Sequence, residues 1–193
     1  LAGLPESFAL FPSATWVTKN HIRLIRAIGR LRDEHGVRLD LVCTGRTNTP
    51  ESGSITREIE RLRLGDQVRF LGVVSVERLN TLYRSARFLV HPSIFEGLGL
   101  PLLEAFQHNC PVVASTAACV PEVVGDGALL FDPFDEQDIV RALLDVIRHP
   151  DKLDALRELG TRRLAEGFPP PEKMARMFET VYLRAAGRKL DTQ

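Results

Sequence analysis

Phe88-Leu89-Val90-His91-Pro92-Ser93-Ile94-Phe95-Glu96-Gly97-Leu98-Gly99-Leu100-Pro101-Leu102-Leu103-Glu104 decides the fold. A short, continuously apolar run (Phe88–His91) leads into a glycine-bearing loop. The loop leads into a helix opening at Leu100 or Pro101, where the missing proline N–H costs nothing. A second apolar run, Val112–Ala114, follows directly. Strands apolar on every residue are strands covered on both faces, as in a parallel sheet.

The same alternation extends in both directions. Strands are expected at Phe8–Phe11, Leu39–Thr44, Val68–Leu71 and Ala128–Phe131. Helices are expected at Asn20–His35, with Leu24, Ile25, Ile28 and Leu31 as one apolar stripe, and at Glu136–Arg148, capped by Asp135. Two more, about Pro150–Glu166 and Glu172–Ala186, flank Phe168-Pro169-Pro170-Pro171. Strict alternation implies right-handed crossovers. The expectation is therefore one α/β domain: a Rossmann-like, doubly wound parallel sheet of about six strands, with extra carboxyl-terminal helices. No internal repeat or domain-sized linker divides residues 1–193.

The 193 residues carry 25 basic and 25 acidic side chains, a net charge of zero that argues against a nucleic-acid partner. Residues 1–96 hold 14 basic and 10 acidic groups, and the remainder 11 and 15, a mild tilt of +4 against −4. Cys43, Cys110 and Cys119 form no metal-ligand spacing and read as buried, reduced thiols of a cytoplasmic protein. No apolar run reaches membrane-spanning length and no signal-peptide order opens the chain. Because Leu1 is not a start methionine, the chain is expected to begin within a longer gene product.

In an open α/β sheet, ligands bind at the carboxyl ends of the strands. Of the loops there, 92–100 carries the most chemistry. Gly97 and Gly99 let backbone amides approach a ligand, and the following helix start favours an anion. Glu104, one turn into that helix, can accept two hydrogen bonds from a vicinal diol, such as a ribose beside a bound diphosphate. Glu96 lies nearer the ligand's far end. Glu158 and Glu166 share the same spacing but lack a glycine loop, and read as a solvated face. Lys19, in Trp16-Val17-Thr18-Lys19-Asn20-His21, sits after the first strand as the obvious cation. Lys19, Arg23, Arg26 and Arg30 fall along one helix face, which reads as solvated, with peripheral membrane contact as the other use.

Glu96-Gly-x-Gly-x-Pro-x-x-Glu104, with Pro111-Val-Val-Ala and Pro121-Glu122-Val-Val-Gly-Asp-Gly-Ala-Leu-Leu-Phe-Asp-Pro, resembles the donor-binding half of retaining glycosyltransferases of the glycogen-synthase and mannosyltransferase type. The similarity runs from about Phe8 to Phe168. It implies a two-domain enzyme that takes sugar from a nucleoside diphosphate sugar, with this chain as the carboxyl-terminal half and the acceptor domain, for a glycan or lipid-linked acceptor, outside it. The resemblance implies donor contacts from the amides of Gly97, Leu98, Gly99 and Leu100. It implies sugar contacts from Glu96, ribose contacts from Glu104, and a nucleobase edge read near Gly72. No metal or other cofactor is implied, which agrees with the lack of an Asp-x-Asp motif.

The common pattern places an arginine five residues before Lys19, where this chain has Ala14; Arg46 is the candidate replacement. Ser115, Ala118 and Cys119 stand where many relatives carry threonine and paired glycines. The Trp-x-x-Lys-Asn-His variant resembles that of some bacterial mannosyltransferases, pointing to GDP-mannose. His91 reads as a packing or supporting residue. No Gly-x-Gly-x-x-Gly follows the first strand and no Gly-x-x-x-x-Gly-Lys loop exists, which excludes nicotinamide-binding and P-loop readings. The competing readings are half of a nucleotide-sugar 2-epimerase, or an inactive nucleotide-binding subunit.

Overall fold

The computed structural model describes residues 3–169 and 171–187. Six parallel strands form one sheet in the order β3-β2-β1-β4-β5-β6. They are β1 (Ala9–Pro12), β2 (Leu41–Thr44), β3 (Val68–Phe70), β4 (Phe88–His91), β5 (Val112–Ser115) and β6 (Ala128–Phe131). A 3-10 turn, Val17–Lys19, leads into α1 (His21–His35). Helices α2 (Ser52–Arg61), α3 (Val76–Ser85), α4 (Leu100–Gln107) and α5 (Val120–Val124) follow, then α6 (Glu136–Arg148), α7 (Pro150–Gly167) and α8 (Pro171–Ala185).

The period-2 geometry of the strands divides the core into two. Ala9, Phe11, Leu41, Cys43, Phe88, Val90 and Val113 face α1, α2 and α6. Leu10, Val42, Leu89, Val112 and Ala114 face α3, α4 and α5. Each strand is therefore apolar on every residue because each face has its own helical layer. Leu24, Ile25, Ile28 and Leu31 of α1 are all fully buried, as their stripe requires. The helix stops at Gly36, whose φ of 64° lets its N–H return to the carbonyls of Arg32 and Leu31. Asp135 caps α6 as expected, accepting from Gln137 N at 2.8 Å.

The strand ends differ slightly from the sequence reading. β1 begins at Ala9 rather than Phe8 and runs through Pro12, although Phe8 remains in the core. β2 begins at Leu41, because Asp40 turns outward to Arg38 at 2.8 Å. After β2 the chain enters α2 at Ser52. Cys43 and Cys110 are buried, but Cys119 is only half-buried, so the expectation of three buried thiols fails there. The basic face of α1 is largely paired: Arg26 meets Glu58 at 2.6 Å and Glu136 at 3.4 Å, and Arg30 meets Glu34 at 2.7 Å. Helix α8 exposes Met174, Met177, Phe178, Val181 and Tyr182 along one stripe. No helix among the described residues is long and apolar enough to cross a membrane.

His21 gives the fold a pH dependence. It is 3% exposed and packs its ring, tilted by 36°, against Phe11 with centroids 4.4 Å apart. Neither ring nitrogen has a hydrogen-bond partner among the described residues. Burial, helped by the charge of Lys19, lowers its pKa to about 3. The unfolded chain therefore takes up a proton below pH 6.5 that the folded chain refuses. Stability is complete above that value and falls on acidification by up to about 1.4 kcal/mol per pH unit. At pH 5 the loss reaches about 2 kcal/mol, or roughly 4–8 °C in melting temperature for a domain of this size. His21→Phe is expected to remove this drop between pH 7 and 5. Equal pH slopes for the two proteins in thermal melts would refute the assignment.

Candidate functional site

The order of the sheet reverses at β1 and β4, which lie side by side while their crossovers leave in opposite directions. Such a switch point opens a crevice at the carboxyl ends of the two strands. The loops leaving those ends carry Lys19 and Glu96. Three hydrogen bonds bolt them together. Ile94 N donates to Thr18 O at 2.8 Å. Asn20 Nδ2 donates to Pro92 O at 3.1 Å and to Pro133 O at 2.8 Å, drawing in the loop after β6. Asn20 reaches all three segments from a left-handed backbone (φ 62°), a conformation its short polar side chain tolerates.

This bracing brings Lys19 and Glu96 into direct contact, with Nζ to Oε1 at 2.6 Å. Their side chains are 23% and 10% exposed, so the pair is shielded more than a surface ion pair. His91 Nε2 stands 3.0 Å from the same oxygen, too far out of line for a well-formed ring N–H hydrogen bond. Burial pushes the Glu96 carboxyl up, but His91 and Lys19 outweigh it and bring it to about 2. Lys19, the cation the sequence singled out, is thus already partnered by a carboxylate. His91 supports Glu96, as expected of a residue at the end of β4.

The glycine loop divides into two functions. Gly99 has a φ of +73°, and a Cβ there would meet Leu102 Cδ1 at 2.8 Å, so the helix entry itself demands glycine. Around Gly97 nothing lies within 4 Å of the Cβ position, and its φ is not positive. The protein alone does not require glycine there; an approaching ligand would. Among the described residues, the amides of Gly97, Leu98, Gly99 and Leu100 have no hydrogen-bond partner. Four donors therefore stand at the positive end of α4.

Glu104, in α4, is half-buried, and its Oε2 accepts from Tyr83 Oη at 2.7 Å. Tyr83 was not singled out by the sequence, because a tyrosine on the apolar face of a helix carries no signal beyond packing. Gly72 sits in a turn at φ +66°, and its carbonyl accepts from Gly45 N at 2.8 Å. That turn alone explains the glycine. Arg46 places its carbonyl against Thr15 N at 3.0 Å, while its exposed side chain forms no hydrogen bond or ion pair among the described residues.

The loop after β5 braces rather than reaches out. Ser115 Oγ donates to Ser93 O at 2.6 Å, and Cys119 Sγ approaches Glu96 O at 3.4 Å. Ala118 holds φ +53° where glycine would be unstrained. Glu122 falls in the first turn of α5, as its sequence context suggested. Glu158 and Glu166 are exposed on α7, also as expected. A larger groove of about 640 Å³ lies between α1 and α6, and none of these site residues lines it. Among the described residues, no group of three or more His, Cys, Asp or Glu could hold a metal ion.

Residues 5–163 match the family described as "Glycosyl transferases group 1". The chain is 35% identical over 158 residues to O-antigen chain mannosyltransferase B of Escherichia coli, covering 82% of this chain and 40% of that protein. It is 35% identical over 179 residues to MMP alpha-(1->4)-mannosyltransferase of Mycolicibacterium hassiacum, covering 91% and 42%. The chain thus spans about two fifths of the length of these relatives. Among solved structures, sucrose-phosphate synthase from Thermosynechococcus elongatus superimposes with a TM-score of 0.80 at 24% identity, covering 95% of this chain and 47% of that one, which shows a shared fold. The matched family, the parallel sheet and the glycine loop at its switch point agree: this chain belongs to the glycosyl transferases group 1 family.

Proposed function

We propose that this chain binds the nucleoside diphosphate sugar donor of a retaining glycosyltransferase that passes a hexosyl group to a glycan or lipid-linked acceptor. The observation that carries this reading is the row of four unpartnered amides at the switch point, flanked by Lys19 and Glu96 on one side and Glu104 on the other. The amides and Lys19 receive the diphosphate, Glu104 the ribose diol, and Glu96 the sugar hydroxyls. In the reaction, the acceptor oxygen bonds to the anomeric carbon. The bond from that carbon to the phosphate oxygen breaks, its electron pair leaves on the diphosphate, and the departing diphosphate oxygen takes up the acceptor proton. The fixed amide dipoles and Lys19 stabilise the leaving charge without metal. Mannosyltransferases among the relatives, together with the Trp16-x-x-Lys19-Asn20-His21 variant, favour GDP-mannose.

Glu104→Gln tests the ribose contact. It is expected to weaken GDP binding by about 1–3 kcal/mol, the scale of a hydrogen bond to a charged group. Glu158→Gln, at the same spacing from Glu166 but exposed on α7, is expected to change binding by less than about 0.5 kcal/mol. Titration calorimetry compares the two, with UDP and ADP run in parallel to identify the base. Equal effects from both variants would defeat the donor-site reading.

A further inference from the structure

We infer that Tyr83 is a positioning residue for nucleotide recognition, because its buried phenol fixes the one carboxylate, Glu104, that can read the sugar of the nucleotide. The inference rests on the donor-site reading above and adds to it a residue from a different helix.

Glu104 projects from α4, while Tyr83 belongs to α3, 21 residues earlier. The tyrosine is 1% exposed, so its hydroxyl must find a partner inside the protein. It donates to Glu104 Oε2 at 2.7 Å, with Pro101 O a distant second at 3.4 Å. Burial, reinforced by Glu104, holds the phenol pKa well above its ordinary value, so the group remains a donor throughout the working range of pH. The ring is itself held, stacking on His108 with centroids 5.6 Å apart and planes 21° apart. His108 Nε2 lies 3.0 Å from Asn80 Oδ1. Helices α3 and α4 are thus joined by two rungs, Tyr83–Glu104 and Asn80–His108, and the stacked rings tie the rungs together.

The chemistry of a carboxylate makes the Tyr83 rung useful. An ionised carboxylate offers about four lone-pair sites. Tyr83 occupies one, and a vicinal diol needs two, so the contact orients Glu104 without exhausting it. A glutamate with no partner would lose rotamer freedom on binding, a cost that a fixed carboxylate has already met on folding. With Oε2 held by Tyr83, Oε1 and the remaining lone pairs fall to the ligand in this proposal.

The test compares GDP with 2′-deoxy-GDP on the 193-residue chain by calorimetry. Tyr83→Phe keeps the ring and its stacking and removes only the donor. It is expected to weaken GDP binding about tenfold and 2′-deoxy-GDP binding less than twofold, so that discrimination for the 2′-hydroxyl collapses. Asn80→Ala, which cuts the other rung, is expected to leave that discrimination intact. In a Glu104→Gln background, Tyr83→Phe is expected to add less than a twofold effect, because it acts only through the carboxylate. Equal losses for both ligands, full additivity with Glu104→Gln, or loss of discrimination in Asn80→Ala would overturn the inference and leave Tyr83 a packing residue. If the unmutated chain bound none of GDP, UDP and ADP, the donor-site reading itself would fall. Retained GDP binding with unchanged discrimination in Tyr83→Phe would sink the positioning role alone.

Discussion

Lys19→Ala is expected to lower the affinity for GDP by roughly 13- to 160-fold and to leave guanosine binding unchanged. A hydrogen bond between charged partners contributes about 1.5–3 kcal/mol, which corresponds to that range. The bare nucleoside never meets this side chain. Glu96→Gln is expected to act in the opposite direction on the same ligand. In the free protein the Lys19 ammonium lies 2.6 Å from Glu96, so a diphosphate must compete with a carboxylate already in place. Removing that charge frees the lysine and reduces repulsion of the phosphates, and both changes favour GDP, by a few-fold. The same substitution is expected to weaken GDP-mannose binding, since Glu96 receives the sugar hydroxyls in the proposed function. Glu96 therefore sets the balance between intact and spent donor. The Glu96 carboxyl, held at about 2, keeps its charge far below neutrality, and its contribution to stability is lost only as pH falls from about 4.5 through about 2. Calorimetry with guanosine, GDP and GDP-mannose on both variants decides the matter. Weaker GDP binding in Glu96→Gln would show that the ion pair does not oppose the ligand.

The architecture was legible because its signals are local. Val112–Ala114 and Phe88–His91 announce doubly covered strands by composition alone, and Pro101 after Gly99 marks the start of α4 to the residue. The strand ends were less legible: Phe8 is as buried as any residue of β1, so burial does not reveal where hydrogen-bonded pairing begins. That Lys19, Glu96 and Glu104 fall at the carboxyl end of the sheet was legible residue by residue, but the couplings among them and their neighbours were not. Lys19 and Glu96 are 77 residues apart, and nothing in either segment says that the two would neutralise each other. That fact depends on strand order, which places β1 beside β4. Asn20 stood within a quoted motif with no role of its own, because its partners, Pro92 and Pro133, offer backbone carbonyls that have no sequence signature. Ser115 and Cys119 stand where many relatives carry threonine and glycine, and no role for them was legible in the sequence. They turn inward and brace the glycine loop from below.

The 193-residue chain is expected to bind donor and to transfer no sugar. Under the proposed function, binding rests on the four amides, Lys19, Glu96 and Glu104, all of which this chain supplies. GDP at about 100 times its dissociation constant would stabilise the fold by roughly 2.7 kcal/mol, a readable rise in melting temperature. Transfer needs more: an acceptor hydroxyl held against the anomeric carbon and protected from water. Such alignment contributes up to roughly 7–11 kcal/mol to lowering a barrier. Trp16, Val17, Phe95, Leu98 and Phe134 stand exposed around the site, between 47% and 67% open to solvent. We assign the acceptor side to sequence outside this chain, which spans about two fifths of its mannosyltransferase relatives. Incubation with GDP-mannose and a lipid-linked glycan acceptor pool is therefore expected to give at most slow release of free mannose, since water reaches the anomeric carbon unhindered. The Escherichia coli O-antigen mannosyltransferase in the same pool is the positive control. If the chain alone transferred mannose at a rate near that of the relative, the acceptor would have to be held by this domain, and the division of labour between two halves would be wrong.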